Sequence, residues 1–96
     1  MKEYQVGKYT IQEYSDGSKY WHDWYLNDQR HREDGPAVER SDGYKEWWLN
    51  NKLHREDGPA VECRDGNKAW YLNGQPYTES QYKTEIRKMK LERIFG

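Results

Sequence analysis

The sequence predicts a mainly β protein, an antiparallel β-meander of 23-residue hairpin repeats followed by a C-terminal α-helix. Three observations predict this fold. A nine-residue segment occurs twice without change, aromatic-rich runs end in Asn-containing turn signals, and the last 19 residues adopt a helical pattern. The expected division is a β-repeat sheet over 1–77, with a degenerate first copy and two full repeats, and a helix within 78–96 that packs on the sheet.

The repeat is defined by two blocks that share one spacing. Residues 31–39, His-Arg-Glu-Asp-Gly-Pro-Ala-Val-Glu, recur as residues 54–62, which is 23 positions later. A second block, Trp-aromatic-Leu-Asn, begins at Trp24, Trp47 and Trp70 with the same offset. A degenerate earlier copy is expected from Ile11, with Asp16-Gly17 as its turn and a short insertion over 20–23. Such a period is typical of units that stack on one another.

Turn signals separate the strands within each unit. Asn50-Asn51 and Asn73-Gly74 follow aromatic runs and suit two-residue hairpin turns with positive φ, and Asp28 replaces the Gly in the first copy. Asp-Gly steps at 42–43 and 65–66 predict further turns. The Asp-Gly-Pro steps that begin at 34 and 57 predict irregular bends, since Pro lacks an N–H and Gly tolerates a forced bend.

Strand alternation sorts the aromatic residues onto two faces. Trp24, Trp47 and Trp70 share a face with Leu26, Leu49 and Leu72 and are expected to form the core. The residues next to these tryptophans point to the opposite face, and we name them the aromatic row: Tyr25, Trp48 and Tyr71. Because Tyr and Trp are favoured at interface hot spots, the aromatic row is the preferred binding surface. The alternative is that the C-terminal helix or a second sheet covers the row.

Composition favours one folded domain and excludes several classes of protein. Five Trp, nine Tyr, one Phe and a net charge of −1 argue against disorder, and large aromatics can replace missing aliphatic core residues. One cysteine, Cys63, forbids an internal disulfide and fits a reducing compartment. With no apolar leader in 1–7 and no long apolar run, we expect a cytoplasmic protein without membrane contact. The balanced charge also makes a nucleic-acid partner an unfavoured expectation.

A helix is predicted from about Glu79 to about Ile94. Thr78 and Gln81 have capping-box spacing, and Tyr82, Ile86 and Met89 recur at helical intervals. Those three side chains are expected to pack on the sheet as a cap. In the alternative interpretation, the other apolar residues near the end of the helix engage a second chain, so that the helix or a sheet edge forms a homodimer. These residues are Leu91, Ile94 and Phe95.

The duplicated His-Arg-Glu-Asp segments suggest several kinds of chemistry. In the structural interpretation, each Arg and His donates to carboxylates and turn carbonyls and holds the Asp-Gly-Pro bend. In the recognition interpretation, the segments bind a partner through His31, Arg32 and Glu33 and through their counterparts His54, Arg55 and Glu56. Metal binding by His31 and Asp34 lacks enough ligands, and an acid-base pair of Glu33 and Asp34 would be duplicated, whereas an active site needs one asymmetric constellation. We therefore expect no catalytic residue, no metal and no cofactor.

The repeat resembles a known group of sequences. The 23-residue period, the Trp-x-x-Asn-Gly turn and the following His are similar to MORN-type repeats, although Arg32 and Arg55 stand where those repeats have Gly. A closer resemblance, over about 24–74, is to the variant Trp-Tyr-x-Asn-Gly-x-x-His-Arg-x-Asp-Gly-Pro-Ala of phage, bacterial and large-virus proteins, and to YwqK-type antitoxins. The resemblance implies a β-hairpin binding scaffold without enzymatic activity.

These features lead to competing expectations for function. The first is a protein-binding module, most concretely a small phage-type inhibitor of a bacterial defence enzyme, such as an anti-CRISPR or similar anti-defence protein, acting in the host cytoplasm. The alternatives are a sponge that holds a nucleotide between aromatics and Arg32 or Arg55, an antitoxin-like partner of a toxin enzyme, and a self-assembling structural protein. A hydrolase using Glu33 and Asp34 is the least favoured.

Overall fold

The structure is a computed structural model that describes residues 1–95, and it confirms the mainly β fold with one C-terminal helix. The strands are β1 (Lys2–Val6), β2 (Tyr9–Asp16), β3 (Lys19–Leu26), β4 (Gln29–Arg30), β5 (Val38–Arg40), β6 (Lys45–Glu46), β7 (Trp48–Leu49), β8 (Lys52–Leu53), β9 (Val61–Glu62), β10 (Lys68–Leu72) and β11 (Gln75–Tyr77). Helix α1 spans Glu79–Phe95. No helix within residues 1–95 combines the length and apolar character that crossing a membrane requires.

The strands form one thin antiparallel layer. Its strand order is β1-β2-β3-β5-β6-β9-β10-β11, with β4 paired to β3, while β7 and β8 form a separate hairpin. Hairpins β3–β4, β7–β8 and β10–β11 are the same unit at 23-residue intervals. The molecule measures 17 Å in its thinnest dimension, so the layer has no second sheet stacked at the ~10 Å spacing of a sandwich.

The predicted two-residue turns are confirmed by their backbone angles. Both central residues have positive φ in Asn27-Asp28 (51° and 64°), Asn50-Asn51 (50° and 66°) and Asn73-Gly74 (51° and 80°). Paired positive φ matches the right-handed twist of the flanking strands, and Asn, Asp and Gly tolerate it best. At the opposite end of the sheet, Gly43 and Gly66 have φ of 96° and 90° in the other turns. The three turns at one end and the two at the other therefore recur at the 23-residue interval.

The first hairpin of the repeat region differs from the others in length. Strands β2 and β3 pair over seven positions, from Thr10 opposite Tyr25 to Asp16 opposite Lys19. The insertion over 20–23 continues as regular strand within β3. The turn at Gly17 therefore lies further out along its strands than the equivalent turns at Gly43 and Gly66 do.

Helix α1 begins where the capping box predicts. The Thr78 hydroxyl accepts from the Gln81 N–H at 3.1 Å, and the Gln81 side chain accepts from the Thr78 N–H at 3.0 Å. Tyr82 is buried on the sheet, and Ile86 and Met89 are half-buried. The predicted segment 78–96 extends to Gly96, which lies outside the described residues.

The interior is smaller than the alternation pattern predicts. Trp24, Trp47 and Trp70 are only half-buried, because a single layer offers no opposing sheet to enclose them. The prediction that the three tryptophans form the core with three leucines is therefore wrong for the tryptophans. Of the leucines, Leu72 is buried as predicted, whereas Leu26 and Leu49 are half-buried. The buried apolar positions are Tyr9, Ile11, Ala37, Val38, Ala60, Leu72 and Tyr82. His31, His54 and Asp23 are also buried, so polar groups lie at the joints between units.

Candidate functional site

Each His-Arg-Glu-Asp loop is organised by its arginine. The Arg55 guanidinium lies 3.7 Å from the centre of the Trp47 ring, and Arg32 lies at the same distance from Trp24. Arg55 also donates to Asp57, to the Pro59 carbonyl and to Glu62 at 3.0, 3.0 and 3.2 Å. The Arg32 loop repeats these contacts with Asp34, Pro36 and Glu39 at 2.9, 3.1 and 2.7 Å. The guanidinium thus covers the tryptophan that a second sheet would otherwise cover.

The histidines join one repeat to the next. Nδ1 of His31 accepts from the Asn50 N–H at 2.8 Å, and Nδ1 of His54 accepts from the Asn73 N–H at 2.9 Å. Because Nδ1 is the acceptor, the ring proton is on Nε2, which donates to Glu33 in the first loop and to Glu56 in the second, at 3.1 and 3.0 Å. Each imidazole therefore ties its own loop to the turn of the following hairpin.

Two tyrosines contact these loops from the ends of the array. The Tyr9 hydroxyl in β2 accepts from the Glu33 N–H at 3.1 Å. The Tyr82 hydroxyl in α1 accepts from the Gly58 N–H at 3.2 Å and donates to the Arg55 carbonyl at 2.5 Å. The Tyr82 ring also lies against Trp70, with ring centres 6.5 Å apart, on the last tryptophan of the series. Helix α1 therefore closes the repeat array on the tryptophan face.

The glycines of the two Asp-Gly-Pro steps are required for a different reason from the predicted one. Gly35 and Gly58 are absent from the positions of positive φ in residues 1–95, so the bend does not demand glycine. A Cβ atom at Gly58 would lie 2.9 Å from Cζ of Arg55, and one at Gly35 would lie 3.1 Å from Cζ of Arg32. The glycines make room for the stacked guanidiniums.

These contacts support the structural interpretation of the His-Arg-Glu-Asp segments. In each copy, Nε and Nη1 of the arginine and both imidazole nitrogens have partners inside the protein. Within residues 1–95, no group of three or more His, Cys, Asp or Glu side chains is arranged to hold a metal ion. The exposed parts of the loops are carboxylates, and the Glu33 and Glu56 side chains are 52% and 38% exposed.

The loop glutamates predict a measurable pH dependence. The Arg93 guanidinium, and after it His54, hold the pKa of Glu56 below its ordinary 4.5, as Lys8 and His31 do for Glu33. Because the pKa of each glutamate is lower in the folded chain than in the unfolded chain, the ionised glutamate stabilises the fold at pH values above its ordinary pKa. This stabilisation is lost as the pH falls through the folded-state pKa. We expect Glu56→Gln to cost less than about 1 kcal/mol near neutral pH, because the pair is solvent-screened. The difference in the free energy of unfolding between Glu56→Gln and the unmodified chain should become smaller at acidic pH.

Urea unfolding between neutral and acidic pH measures this effect. Glu92→Gln, at an exposed position of α1 next to Arg93, is the matched control and should leave the pH profile of stability unchanged. A difference between the Glu56→Gln and unmodified chains that grows on acidification would contradict the role assigned to Glu56.

Comparison of the chain with protein-family models, with curated proteins and with solved structures finds no match. The resemblance to MORN-type repeats stays a prediction. The function must therefore be argued from the geometry of the chain itself.

The aromatic row lies on the face opposite the stacked arginines. Tyr25, Trp48 and Tyr71 are half-buried, so they are neither sealed inside nor fully exposed. Each residue of the row lies directly opposite one residue in the partner strand of its own hairpin. These cross-strand partners are Arg30, Leu53 and Pro76. Because Tyr82 of the helix contacts Trp70, the helix packs on the face opposite Tyr71.

Arg30 is the one charged residue among the cross-strand partners. Its guanidinium lies 5.7 Å from the Tyr25 ring centre and 5.2 Å from the Trp48 ring centre, and it donates to the Tyr25 hydroxyl at 3.3 Å. It also pairs with the buried Asp23 carboxylate at 3.5 Å. Burial raises the pKa of Asp23, and the Arg30 charge opposes that effect. Arg30 therefore bridges two members of the aromatic row.

Glu46 fixes the Trp48 end of the row. Its carboxylate accepts from Nε1 of Trp48 at 2.9 Å and from the Tyr44 hydroxyl. Burial and the Glu46 carboxylate raise the pKa of Tyr44 to about 12. Tyr44 therefore stays protonated and donates at neutral pH, and the Trp48 indole is held by a directed hydrogen bond.

Sequence reasoning missed Arg30, Asp23 and Glu46. The available signal was a departure from the repeat, since Arg30 occupies the position of Leu53, 23 residues later. A charged residue in an apolar position of a repeat indicates a local role that its neighbours do not share. The apolar end of α1, for which a second chain is the alternative partner expected from the sequence, is exposed. Leu91, Ile94 and Phe95 are 48%, 71% and 83% exposed.

Proposed function

We propose that this chain is a non-catalytic protein-binding module whose docking surface is the aromatic row together with Arg30. One observation carries the proposal. Two aromatic rings and a guanidinium are held together by directed contacts on the sheet face opposite the helix. Trp, Tyr and Arg are the residues that most often dominate binding energy at protein interfaces.

The restraint of these side chains favours binding. The Trp48 indole is fixed by Glu46 at 2.9 Å, and Arg30 is fixed between the Tyr25 and Trp48 rings. Side chains ordered before association lose less entropy when a partner docks, at a saving of about 0.5–1.5 kcal/mol for each rotamer-rich side chain. The half-buried rings also leave apolar area for a partner to cover.

The two His-Arg-Glu-Asp loops support a non-enzymatic role. Both copies make the same internal contacts, and these contacts hold neighbouring repeats together. A catalytic pair of carboxylates needs two environments that separate their pKa values. Here Glu33 and Glu56 have equivalent environments, and each has a lowered pKa. The loops are therefore assigned to the scaffold, and recognition to the aromatic row.

The most concrete form of the proposal is an inhibitor of a bacterial defence enzyme acting in a host cytoplasm. Its support is the resemblance of the repeat to repeats of phage and bacterial proteins. An antitoxin-like protein bound to a toxin enzyme would use the same face. Either partner would have to present an apolar patch to the rings and an acceptor group to Arg30.

Affinity capture from bacterial lysate tests the proposal with two matched tyrosine variants. Tyr71→Ser removes a ring of the aromatic row, whereas Tyr4→Ser removes a 39% exposed ring on the opposite face. The unmodified chain and Tyr4→Ser should recover the same protein in a stoichiometric amount. Tyr71→Ser should weaken its binding by roughly tenfold, the effect of losing about 1.4 kcal/mol at a hot spot.

Circular dichroism and urea unfolding establish that both variants retain the fold. Equal recovery of the same partner by both variants would contradict the assignment of the aromatic row as the docking surface. Failure of the unmodified chain to recover any stoichiometric protein would contradict a protein-binding function.

A further inference from the structure

A groove lies at the sheet end that carries the Asp-Gly turns, away from the His-Arg-Glu-Asp loops. It has a volume of about 760 Å³, within the usual size range of small-ligand sites. Three successive hairpins contribute to it, and the 23-residue repeat brings them side by side. The lining residues are Ser18, Lys19, Tyr20, Trp21, Arg40, Ser41, Asp42 and Arg64.

Three cations from different hairpins line this groove. Lys19, Arg40 and Arg64 come from the first, second and third Asp-Gly turns. These three cations are not among the lysines and arginines that form ion pairs within residues 1–95. Those are Lys8, Arg30, Arg32, Arg55, Lys83, Lys88 and Arg93. None of the three groove cations therefore forms an ion pair with a carboxylate within residues 1–95.

One carboxylate also lines the groove, and its position limits its effect on the cations. An oxygen of Asp42 accepts from the Tyr44 N–H at 3.0 Å, so this oxygen is hydrogen-bonded within its own turn. The lining carries three positive groups against this single negative group, while the whole chain has a net charge of −1. The groove is thus locally positive on a slightly acidic protein and attracts anions.

An aromatic ring completes the wall of the groove. The Trp21 ring stacks on Tyr14 with ring centres 4.9 Å apart and planes inclined by 13°, whereas the Tyr20 ring projects to the other face of β3 and lies against His22. Trp21 also lies directly opposite Arg40 in the strand register. The Arg40 guanidinium is itself placed over the Tyr44 ring, 4.6 Å from its centre. Flat rings and guanidinium groups therefore meet at one site.

We infer that this groove binds a nucleotide, with the phosphates on Arg40, Arg64 and Lys19 and the base against Trp21. Arginine forks match phosphate oxygens in pairs, and a lysine adds a point charge. A base stacks on an aromatic ring whatever its identity, at roughly 1–3 kcal/mol per base. A ligand with both a flat ring and several negative charges uses every feature of the groove.

This site differs from the nucleotide site expected between the aromatics and Arg32 or Arg55. Those two guanidiniums each pair with two carboxylates and a carbonyl and lie on tryptophan rings. The Asp-Gly end instead offers cations without such partners. The inference is independent of the proposed protein-binding function, because the two surfaces share no residue.

Isothermal titration with ATP, AMP and inorganic phosphate at low salt tests the inference. ATP should bind more tightly than AMP, and phosphate should bind most weakly. Arg64→Ser should weaken ATP binding by about fivefold or more, consistent with the loss of one charge-assisted contact. Serine is compatible with this turn, since Ser41 occupies the equivalent position in the preceding repeat. Added salt should weaken binding further.

Arg87→Ala on the helix is the matched control, because it removes an arginine charge far along the chain from the groove. It should change the ATP affinity by less than about twofold, as expected for a screened surface charge. Equal losses in Arg64→Ser and Arg87→Ala would show general charge attraction and overturn the inference. Absence of ATP binding would overturn it too. Binding confined to a 5′-phosphorylated single-stranded oligonucleotide would assign the groove to a nucleic-acid strand and contradict a free nucleotide.

Discussion

Replacing His54 with Ala is expected to destabilise the protein by about 3 kcal/mol, among the largest effects of any single substitution outside the small apolar core. His54 is 7% exposed, and its Nδ1 accepts from the Asn73 N–H at 2.9 Å. The substitution leaves that N–H unpaired, removes the contact with Glu56 and creates a cavity. For a small domain with about 5 kcal/mol of stability, the loss would leave about 2 kcal/mol and raise the unfolded fraction roughly 100-fold.

Urea unfolding of the purified variant measures this loss. His22→Ala is the matched control, because His22 is a half-buried histidine that lies against Tyr20 and is 3.7 Å from Glu13. It should cost less than about 1 kcal/mol. If the two histidine variants lost equal stability, His54 would not be a joint between repeats.

The second large effect concerns the space that Gly58 leaves for Arg55. Gly58→Ala places a methyl group 2.9 Å from the guanidinium carbon, so Arg55 must shift. The shift weakens its stacking on Trp47 and its bonds to Asp57, Pro59 and Glu62. We expect a loss of about 2 kcal/mol from this overpacking. In an Arg55→Ala background the clash disappears, and the same glycine substitution should cost less than about 0.5 kcal/mol, since alanine also restricts the unfolded chain.

The unmodified chain, Gly58→Ala, Arg55→Ala and the double variant form a double-mutant cycle, and urea unfolding measures the stability of each. Strong coupling between Gly58 and Arg55 is the expected result. Additive losses would mean that Gly58 serves the backbone bend, the reason that the sequence alone suggested. The equivalent cycle at Gly35 and Arg32 should behave in the same way, because the separation there is 3.1 Å.

Local signals predicted the turns and the helix well. Asn50-Asn51 and Asn73-Gly74 adopt the positive φ that their composition favours, and Thr78 with Gln81 forms the capping box that starts α1. These features depend on residues within four positions of one another, so sequence spacing is enough to identify them. Alternation also placed neighbouring aromatic residues on opposite faces of the sheet.

Contacts between repeats could not be predicted in the same way. The bond from Asn50 to His31 spans 19 residues, and Tyr82 reaches back 27 residues to the Arg55 carbonyl. Alternation alone assigns one face to the interior, whereas in a single layer the tryptophans are covered by arginine side chains. The cationic groove has the same origin, since its members come from three different turns that only the folded register brings together.

The claim on which the account rests is that each histidine of the duplicated segment joins two repeats as a neutral hydrogen-bond acceptor. Nuclear magnetic resonance measures this directly through the nitrogen–nitrogen scalar coupling across an N–H···N hydrogen bond in the ¹⁵N-labelled protein. We expect couplings from the Asn50 amide to Nδ1 of His31 and from the Asn73 amide to Nδ1 of His54, with the ring protons on Nε2. Protonated Nδ1 atoms without either coupling would contradict the account, because the segments would then be free to serve a different purpose.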